Sequence, residues 1–392
     1  MNVTLIIAIA SLIIFLGFLG DFAFRKLRFP DILVLIFIGY LIVFLFKTDE
    51  YKILNEYIPL AATISLIIIL FEGGLTLDLS KTKEILKDSL LMAIAFYTVS
   101  FTLIYTVLYF IGTAPIFSLL YASILSAPSV AIVIPMINRS NVDENRRHKY
   151  IMYATLLDLI SIVITISIIQ FYPITINNFL KVIASLISSI ILQIFIGALA
   201  GILWTEILKK IGNMDLSYML TLAYVLAIYV FSDILWNNGM ISVITIGLVL
   251  ANSEKIRNIV GMEVFAIDEN LKRFNREVSF FFRTIIFVSI GTMLYIAKIN
   301  IHIIIILITI ISIIYIVQIL TVKFVENQKL YRHIHYIMPR GLTQIVLGIF
   351  AVSSPYGNIE ILYIITFVII ITNIITSLFI YLAKLNSVLR KK

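Results

Sequence analysis

The sequence contains no cysteine, few charged residues and only four histidines. The absence of cysteine excludes disulfide bonds, thiolate metal sites and cysteine-based catalysis. The histidines lie at the ends of apolar runs and form no catalytic constellation with serine or acidic residues, so we expect no enzyme activity and no cofactor. No phosphate-cradling glycine loop occurs, and ATP-driven transport is therefore unsupported.

Most of the chain is apolar. Hydrophobic residues make up 61% of it, charged residues 13%, and the mean hydropathy is +1.07. Apolar runs of about twenty residues, the length that crosses a bilayer as an α-helix, recur from end to end. The sequence therefore predicts an all-α, multi-pass protein of the cell membrane with about thirteen transmembrane helices. We place these spans at residues 3–20, 31–46, 58–76, 89–111, 116–137, 150–172, 180–204, 216–235, 238–252, 277–296, 299–322, 334–353 and 360–383.

The basic residues test this assignment. The chain carries 30 Lys and Arg and a net charge of +8, and the connections between spans are alternately rich and poor in basic residues. Because cytoplasmic loops are enriched in Lys and Arg, the alternation places the amino terminus outside and the carboxyl terminus inside. The charge follows membrane topology and contact with lipid, so we expect no nucleic-acid partner. Trp204 and Trp236 fall at predicted span ends, where we expect interfacial anchors.

Asp158, in YATLLDLISIV, is an acidic residue near the middle of span 6. It lies roughly 12 Å into the span, close to the midplane of a hydrocarbon core about 30 Å thick. A carboxylate at that depth costs several kcal/mol unless paired or hydrated, so it usually marks an ion or proton path. Thr155 and Ser161 lie on a similar helix face and offer hydroxyl oxygens. We expect Asp158 to hold a proton or a small cation; the simpler alternative is a protonated side chain making one structural hydrogen bond.

Glu72, in LFEGGLTLDL, and Arg283, in SFFFRTIIFVSIG, lie at matching depths, roughly 9 Å from the cytoplasmic side of spans 3 and 10. An ion pair between them is geometrically possible and would greatly reduce the burial cost of both charges. The pair would either gate the cytoplasmic side or simply lock two helices together. The Gly73-Gly74 step favours close helix packing as much as an ion route.

Spans 5 and 12 contain helix-breaking residues at membrane depth. Span 5 has Pro128 between Ser126 and Ser129, and span 12 has Pro339 followed by Arg340. Proline removes a backbone donor and frees a carbonyl, so such breaks present partial charges that can hold ions. Two breaks in corresponding places are stronger evidence than one, because single proline kinks are common in transmembrane helices.

The two breaks correspond if the chain is internally repeated. Spans 1 to 6 and 8 to 13 would form two six-helix repeats, and because seven spans separate counterparts, the repeats run in opposite orientation. We therefore expect one transmembrane domain over residues 1–392, with a first inverted repeat at 1–172, a linking span at 173–215 and a second inverted repeat at 216–392. The substrate site would lie between the crossed broken helices.

Four segments carry a resemblance to a known family: RFPDILVLIFIGYL in span 2, LFEGGLTLDL in span 3, FFFRTIIFVSIG in span 10 and PRGLTQIVL in span 12. In this order, with the span 5 break and the span 6 aspartate, the whole chain resembles the NhaP-like sodium/proton antiporters of the monovalent cation:proton antiporter superfamily. The resemblance implies a homodimer in which a mobile core moves across the membrane, in the manner of an elevator, with either a proton or a cation on the aspartate.

Three positions depart from the family pattern. Family members usually have Asn-Asp or Asp-Asp in span 6, where this chain has Leu157 before the aspartate. Their Thr-Asp-Pro in span 5 has Ala127 at its centre here, and the glutamate that commonly pairs with the span 12 arginine falls on Tyr153. A single midplane carboxylate argues for one proton per monovalent cation and hence for electroneutral exchange. Arg340 is left to pair elsewhere or to hold a backbone carbonyl.

The leading hypothesis is exchange of Na⁺ or Li⁺ for H⁺, with Asp158 as the shared carrier. Oxygens of Thr155, Ser126, Ser129 and the span 5 backbone would complete the coordination of the transported sodium ion. A second hypothesis is a K⁺/H⁺ exchanger or K⁺ efflux protein of the same superfamily; such relatives usually carry a carboxy-terminal nucleotide-binding domain, which we do not expect here. A third is a transport-inactive relative that kept the fold and lost the site.

Overall fold

The computed structural model describes residues 11, 15, 17, 18, 31–46, 51–77, 83–138, 144–173, 176–211, 216–236, 239–253, 269–295, 297, 299–325 and 337–389. Within these residues the secondary structure is helical and no strand is present. The helices are α1 (Asp31–Phe46), α2 (Tyr51–Thr76), α3 (Lys83–Phe110), α4 (Pro115–Leu125), α5 (Val130–Asn138), α6 (Glu144–Phe171), α7 (Ile176–Ile211), α8 (Ser217–Trp236), α9 (Met240–Ala251), α10 (Glu269–Leu294), α11 (Ile301–Val325), α12 (Leu342–Ser353) and α13 (Ile359–Leu389).

The helices lie where the apolar runs predicted them. Nine helical stretches of the described residues are long and apolar enough to cross a membrane, and three shorter apolar helices are α1, α9 and α12. The first predicted span, 3–20, lies almost wholly outside the described residues. The total of thirteen spans and the orientation of the termini therefore stay predictions.

Several helices are longer than the runs that predicted them. Helix α6 begins at Glu144 and α10 at Glu269, six and eight residues before the predicted starts. Their first turns are polar, because backbone hydrogen bonding continues past the apolar segment that marks membrane depth. Hydropathy locates the membrane portion of such helices better than it locates their ends.

The prediction that Trp204 is an interfacial anchor is wrong. Trp204 lies inside α7, seven residues before its end, and only 4% of its surface is exposed. Its ring stacks on Tyr224 with centroids 4.2 Å apart, and its indole N–H donates to the Thr221 hydroxyl at 3.1 Å. It therefore joins α7 to α8. The side chain of Trp236 lies outside the described residues.

The chain forms two compact units that interleave along the sequence. The first unit comprises Met1–Ala62, Lys87–Ile169 and Arg283–Lys392, and the second comprises Thr63–Leu86 and Gln170–Phe282. The first unit contains α4, α5, α6 and α11 to α13, with α12 packed on α4 and α13. In the second unit α9 packs on α7 and α8. The inverted repeats predicted at 1–172 and 216–392 are a different division of the chain and stay a prediction.

Each unit contains a close contact between two glycines. In the first unit, a Cβ added to Gly39 of α1 would lie 2.9 Å from the Cα of Gly291 of α10, and the converse distance is the same. In the second unit, a Cβ on Gly74 of α2 would lie 2.9 Å from the Cα of Gly247 of α9. At Gly73 a Cβ would meet no atom within 4 Å. Only the second glycine of the Gly73-Gly74 step therefore makes the predicted close packing.

Candidate functional site

Asp158 lies in the middle of α6 and is 4% exposed. Its Oδ2 accepts a hydrogen bond from the Thr343 hydroxyl at 2.9 Å, and its Oδ1 accepts one from the carboxamide nitrogen of Gln344 at 3.4 Å. The backbone N–H of Val130, the first residue of α5, also stabilises the carboxylate electrostatically. The amino-terminal turns of two helices, α5 and α12, thus supply its donors, and helix amino termini favour anions.

The predicted break in span 5 is present, and in span 12 the proline segment is non-helical, although the residues before 337 lie outside the described part of the chain; the two proline segments touch. Helix α4 ends at Leu125 and α5 begins at Val130, while residues 337–341 are non-helical and lead into α12. The Ser129 N–H donates to the Pro339 carbonyl at 2.8 Å. A Cβ on Gly341 would lie 2.8 Å from the Ser129 hydroxyl oxygen, so glycine permits the close approach.

All backbone carbonyls of the second break, residues 337–341, accept hydrogen bonds. The five carbonyls of residues 337–341 accept hydrogen bonds, in order, from the Tyr150 hydroxyl, the Arg340 guanidinium, the Ser129 N–H, the Asn373 carboxamide and the Ile345 N–H, at 2.6 to 3.1 Å. The N–H of Gly341 donates to Gln344 Oε1 at 2.8 Å. This break is therefore satisfied by the protein itself.

Arg340 is completely buried and binds backbone carbonyls. Its Nε and Nη2 donate to the Leu125 carbonyl at 3.2 and 2.9 Å, and its Nη1 donates to the Met338 carbonyl at 2.6 Å. A cation at the last carbonyl of α4 complements the negative end of that helix. Of the two predicted alternatives, the backbone carbonyl is observed, and no carboxylate of the described residues pairs with Arg340. Its electrostatic neighbours are phenols: Tyr315, Tyr153 and Tyr150.

The first break, in contrast, retains acceptors without donors. The carboxamide of Gln344 donates to the Ala127 carbonyl at 3.2 Å. Within the described part of the chain, no donor reaches the carbonyls of Ser126 and Pro128, although both residues are buried. The buried Ser129 hydroxyl also lacks a partner there. Three oxygen atoms of this break are therefore available to a ligand.

The other predicted oxygen ligands donate their protons locally. The hydroxyls of Ser126 and Thr155 each donate to the carbonyl four residues earlier in the chain, at 2.6 and 2.8 Å. The Ser161 hydroxyl donates to the Ser123 carbonyl at 2.8 Å and so ties α6 to α4. A hydroxyl that donates keeps lone pairs, so the oxygens of Ser126 and Thr155 can still face a cation.

A family model described as "Sodium/hydrogen exchanger, transmembrane" matches residues 9–384. The chain belongs to this family. The curated relative "Probable Na(+)/H(+) antiporter 2" of Methanocaldococcus jannaschii is 24% identical over 310 residues, which span 76% of this chain and 71% of the relative. The chain is therefore a multi-pass membrane protein, and the NhaP-like resemblance inferred from its motifs is confirmed.

Solved structures share the fold of this chain. The sodium proton antiporter MjNhaP1 of the same organism, determined at pH 8, matches with a TM-score of 0.73 and 19% identity over 97% of this chain and 96% of that one. An electron-microscopy structure of MjNhaP1 matches with a TM-score of 0.71 and 20% identity over 98% and 96% of the two chains.

The three residues that depart from the family pattern lie close together in the structure. Ala127, Tyr153 and Leu157 all belong to one buried apolar cluster within the first unit, which also includes Phe96. The Tyr153 ring packs edge-on against Phe96, and its hydroxyl donates to Gln318 Oε1 at 3.2 Å. The three positions thus lie in one cluster, where they make apolar contacts and one side-chain hydrogen bond.

Glu72 and Arg283 fall in different units. In the first unit, Nη2 of Arg283 lies 2.8 Å from Oδ2 of Asp31, the first residue of α1, and Asp31 is 5% exposed. In the second unit, the half-buried Glu72 accepts a hydrogen bond from the Ser279 hydroxyl at 3.1 Å. The predicted ion pair between Glu72 and Arg283 stays a prediction.

Three of these site residues were not singled out from the sequence. Thr343 and Gln344 stand in PRGLTQIVL, and Asp31 stands in RFPDILVLIFIGYL, segments that carried the family resemblance. A usable signal was their position, because each lies in the first turn of a helix within an otherwise apolar run. Polar side chains at such positions can bond the helix terminus or a group facing it.

Proposed function

We propose that this protein exchanges Na⁺, or Li⁺, for H⁺ across the cell membrane, with Asp158 as the site that proton and cation share. Its family and the name of its curated relative support this proposal. The observation that carries it is the buried carboxylate, whose partners in the described residues are neutral donors: Thr343, Gln344 and the Val130 amide. A buried carboxylate without a basic partner is stabilised by either a proton or a cation.

The first break would supply the remaining cation ligands. The carbonyls of Ser126 and Pro128 and the hydroxyl of Ser129 have no donor in the described residues, and Thr155 lies three residues before Asp158 on α6. Hydroxyl and carbonyl oxygens at a broken helix are the ligands with which membrane proteins hold small cations. A dehydrated cation placed there would satisfy these oxygens and neutralise the carboxylate at once.

The exchange would be electroneutral, with one proton for one monovalent cation. Leu157 and Ala127, which fall where the family often has a second polar or acidic side chain, lie in apolar packing. One carboxylate holds one unit of positive charge at a time, so each half of the cycle carries the same charge. Fewer anionic oxygens also make a weaker site, which is why K⁺ belongs in the test.

Alternating access would move the broken helices as part of a mobile core, and the protein would be a homodimer. The two glycine contacts support the underlying inverted repeat. Gly39 and Gly291 lie on spans 2 and 10, and Gly247 and Gly74 lie on spans 9 and 3, which are their counterparts under the predicted repeat. An inverted repeat would produce two such contacts, one between spans 2 and 10 and an equivalent one between spans 9 and 3.

Arg283 and Glu72 would act on the cytoplasmic side, as a gate or a staple. Arg283 is already paired with Asp31, so loss of Asp31 would leave a half-buried guanidinium without that carboxylate. Ser279 would hold Glu72 in the same way, through the hydrogen bond from its hydroxyl. Neither side chain is expected to carry the transported proton.

The test is proton flux into proteoliposomes that contain a pH-sensitive dye. Na⁺, Li⁺ and K⁺ are added in turn, with the membrane voltage clamped by an ionophore at two values. We expect a cation-triggered, voltage-insensitive flux in the wild type and none in Asp158→Asn. An asparagine amide is not protonated near neutral pH, and it carries no charge to balance that of a cation.

Asp233→Asn is the matched control, since Asp233 is a half-buried carboxylate of α8 in the second unit, and its flux should equal that of the wild type. Undiminished exchange by Asp158→Asn would refute the proposal. Flux with K⁺ in preference to Na⁺ would favour the potassium exchanger, and flux that changes with voltage would refute electroneutrality. No flux with any cation would point to the transport-inactive relative.

A further inference from the structure

The hydrogen-bond partners of Asp158 differ in what they can offer a cation. Val130 and Gln344 present N–H groups to the carboxylate, and an amide nitrogen has no lone pair to give. Thr343 presents a hydroxyl, which can donate or accept. Among the partners in the described part of the chain, Thr343 is therefore the one that can keep its position and bind a cation through its oxygen.

The orientation of the Gln344 carboxamide is fixed by its surroundings. Its Oε1 accepts the Gly341 N–H at 2.8 Å, while its Nε2 donates to the Ala127 carbonyl at 3.2 Å and to Asp158 Oδ1 at 3.4 Å. Turning the amide over would place its nitrogen against a donor and its oxygen against two acceptors. Oδ1 therefore faces hydrogen atoms, which repel a cation.

The other carboxylate oxygen has different surroundings. The Thr343 hydroxyl donates to Oδ2 at 2.9 Å, and rotation about its C–O bond would turn a lone pair toward an ion held there without moving a heavy atom. The unpartnered Ser129 hydroxyl lies against Gly341, two residues before Thr343. The first break therefore touches the segment that leads into α12, close in the chain to Thr343.

We propose that the transported cation binds on the Oδ2 side of Asp158 with the Thr343 hydroxyl oxygen as a direct ligand, while Gln344 holds Oδ1 in position. Thr343 is thus a binding residue, and Gln344 is a positioning residue. The inference rests on the proposed function, because it names a ligand of the same exchange site.

Thr343→Val tests the ligand, because valine keeps the shape of threonine and removes the oxygen. We expect the KM for Na⁺ to rise about tenfold, as for one lost interaction with a charged group, while the rate at saturating Na⁺ changes little. Thr343→Ser keeps the oxygen and should retain a wild-type KM. The measurement is initial proton flux against Na⁺ concentration in proteoliposomes.

Thr366→Val is the matched control. Thr366 is a buried threonine of α13 whose hydroxyl bonds the Leu362 carbonyl of its own helix, and its replacement should leave the KM unchanged. An unchanged KM in Thr343→Val, an equal rise in Thr343→Ser, or an equal rise in Thr366→Val would each overturn the proposal. If Thr343→Val does not fold, Thr343→Ala replaces it; failure of both to fold would assign Thr343 a structural role and also overturn the proposal.

A binding measurement separates this inference from the proposed function. Na⁺ that binds the folded protein raises its melting temperature in detergent, so the concentration dependence of that rise reports affinity without transport. We expect the half-maximal Na⁺ concentration to be about tenfold higher in Thr343→Val than in the wild type, and no rise in Asp158→Asn. A wild type that is stabilised by Na⁺ but transports nothing would contradict the proposed function and still test Thr343. A wild type without any stabilisation would overturn both.

Discussion

The two helix breaks of the first unit, residues 126–129 and 337–341, resemble each other in position and differ in how their backbone groups are used. The carbonyls of the second break all accept hydrogen bonds from protein groups. The first break leaves the carbonyls of Ser126 and Pro128 and the hydroxyl of Ser129 without a donor in the described residues. A buried acceptor without a donor is costly, so it is retained where a ligand can use it.

The difference assigns the two breaks different roles. Side chains of the second break and of the first turn of α12 provide donors to their neighbours, namely Arg340 to the end of α4, and Thr343 and Gln344 to Asp158. The first break donates one backbone N–H, that of Ser129, and keeps oxygen acceptors that have no donor in the described residues. A cation would therefore bind beside the first break, and the second break would hold that break and the carboxylate in position. Variants that act on one break and not on the other can test this division.

The largest effect is expected at Arg340, which holds the second break to the first. Arg340→Ala would leave the Leu125 carbonyl without its two guanidinium donors and remove the donor of the Met338 carbonyl, at full burial. We expect a loss of about 3–5 kcal/mol in the free energy of unfolding, enough to prevent recovery of folded protein. The measurement is thermal unfolding in detergent together with yield.

Arg340→Lys is the informative companion. It keeps the charge, but a single ammonium cannot reproduce the planar guanidinium that reaches two carbonyls. We expect a folded protein that is less stable than the wild type. Stability of Arg340→Ala equal to that of the wild type would show that the Leu125 carbonyl needs no donor, and the contrast between the two breaks would fail.

A smaller effect is expected where the breaks touch. Gly341→Ala would place a methyl group 2.5 Å from Ile132 Cδ1 and 2.9 Å from Ser129 Cβ, so the breaks must separate. We expect a destabilisation of about 1–3 kcal/mol, typical of overpacking in a buried site. Thermal unfolding measures it, and exchange activity should fall with it.

Gly73→Ala is the control for glycine replacement. A methyl group at Gly73 meets no atom within 4 Å. Within a helix, alanine is more stable than glycine by about 0.5–1 kcal/mol, so this variant should be as stable as the wild type or more stable. Equal destabilisation of Gly73→Ala and Gly341→Ala would mean that the close approach of the breaks is not what Gly341 permits.

The sequence predicted the parts of this arrangement that depend on a residue's own chemistry. Proline marked both breaks, and Asp158 stood out as a carboxylate in an apolar run. A backbone carbonyl was one of two predicted partners for Arg340, but which carbonyl could not be predicted, because one such as that of Leu125 exists at every position and leaves no signal in residue type. Donation by Gln344 depends on which helix crosses α6, and this is a property of the fold.

The three departures from the family pattern show the same limit. Tyr153 and Leu157 lie on α6 and Ala127 lies in the first break, so in the sequence they are separate losses of polarity. The structure places them in one apolar cluster. The contact of Ala127 with the two α6 residues in this cluster depends on tertiary structure, which single-sequence patterns do not encode.

The smallest effect is expected within the first break, at its two serines. The Ser126 hydroxyl donates to the Ala122 carbonyl at 2.6 Å, whereas the Ser129 hydroxyl is buried and has no partner in the described residues. If the first break binds the cation, Ser129→Ala should raise the KM for Na⁺ by about three- to tenfold, because it removes a free oxygen ligand. Ser126→Ala should change the KM less, because the Ser126 hydroxyl is already held by its hydrogen bond to the Ala122 carbonyl, whereas that of Ser129 is free to turn toward an ion. Initial rates of proton flux against Na⁺ concentration measure both.

Stability separates this prediction from a structural explanation. Ser129→Ala removes a buried hydroxyl that lacks a hydrogen bond, so the free energy of unfolding without Na⁺ should stay the same or rise slightly. Ser126→Ala removes a made hydrogen bond and should lower that free energy by about 0.5–1.5 kcal/mol. The two serines would thus have opposite profiles, since Ser129 would affect cation affinity and Ser126 would affect stability. The reverse pattern, with Ser126 controlling the KM, would place the cation on the helical side of the break, toward α4.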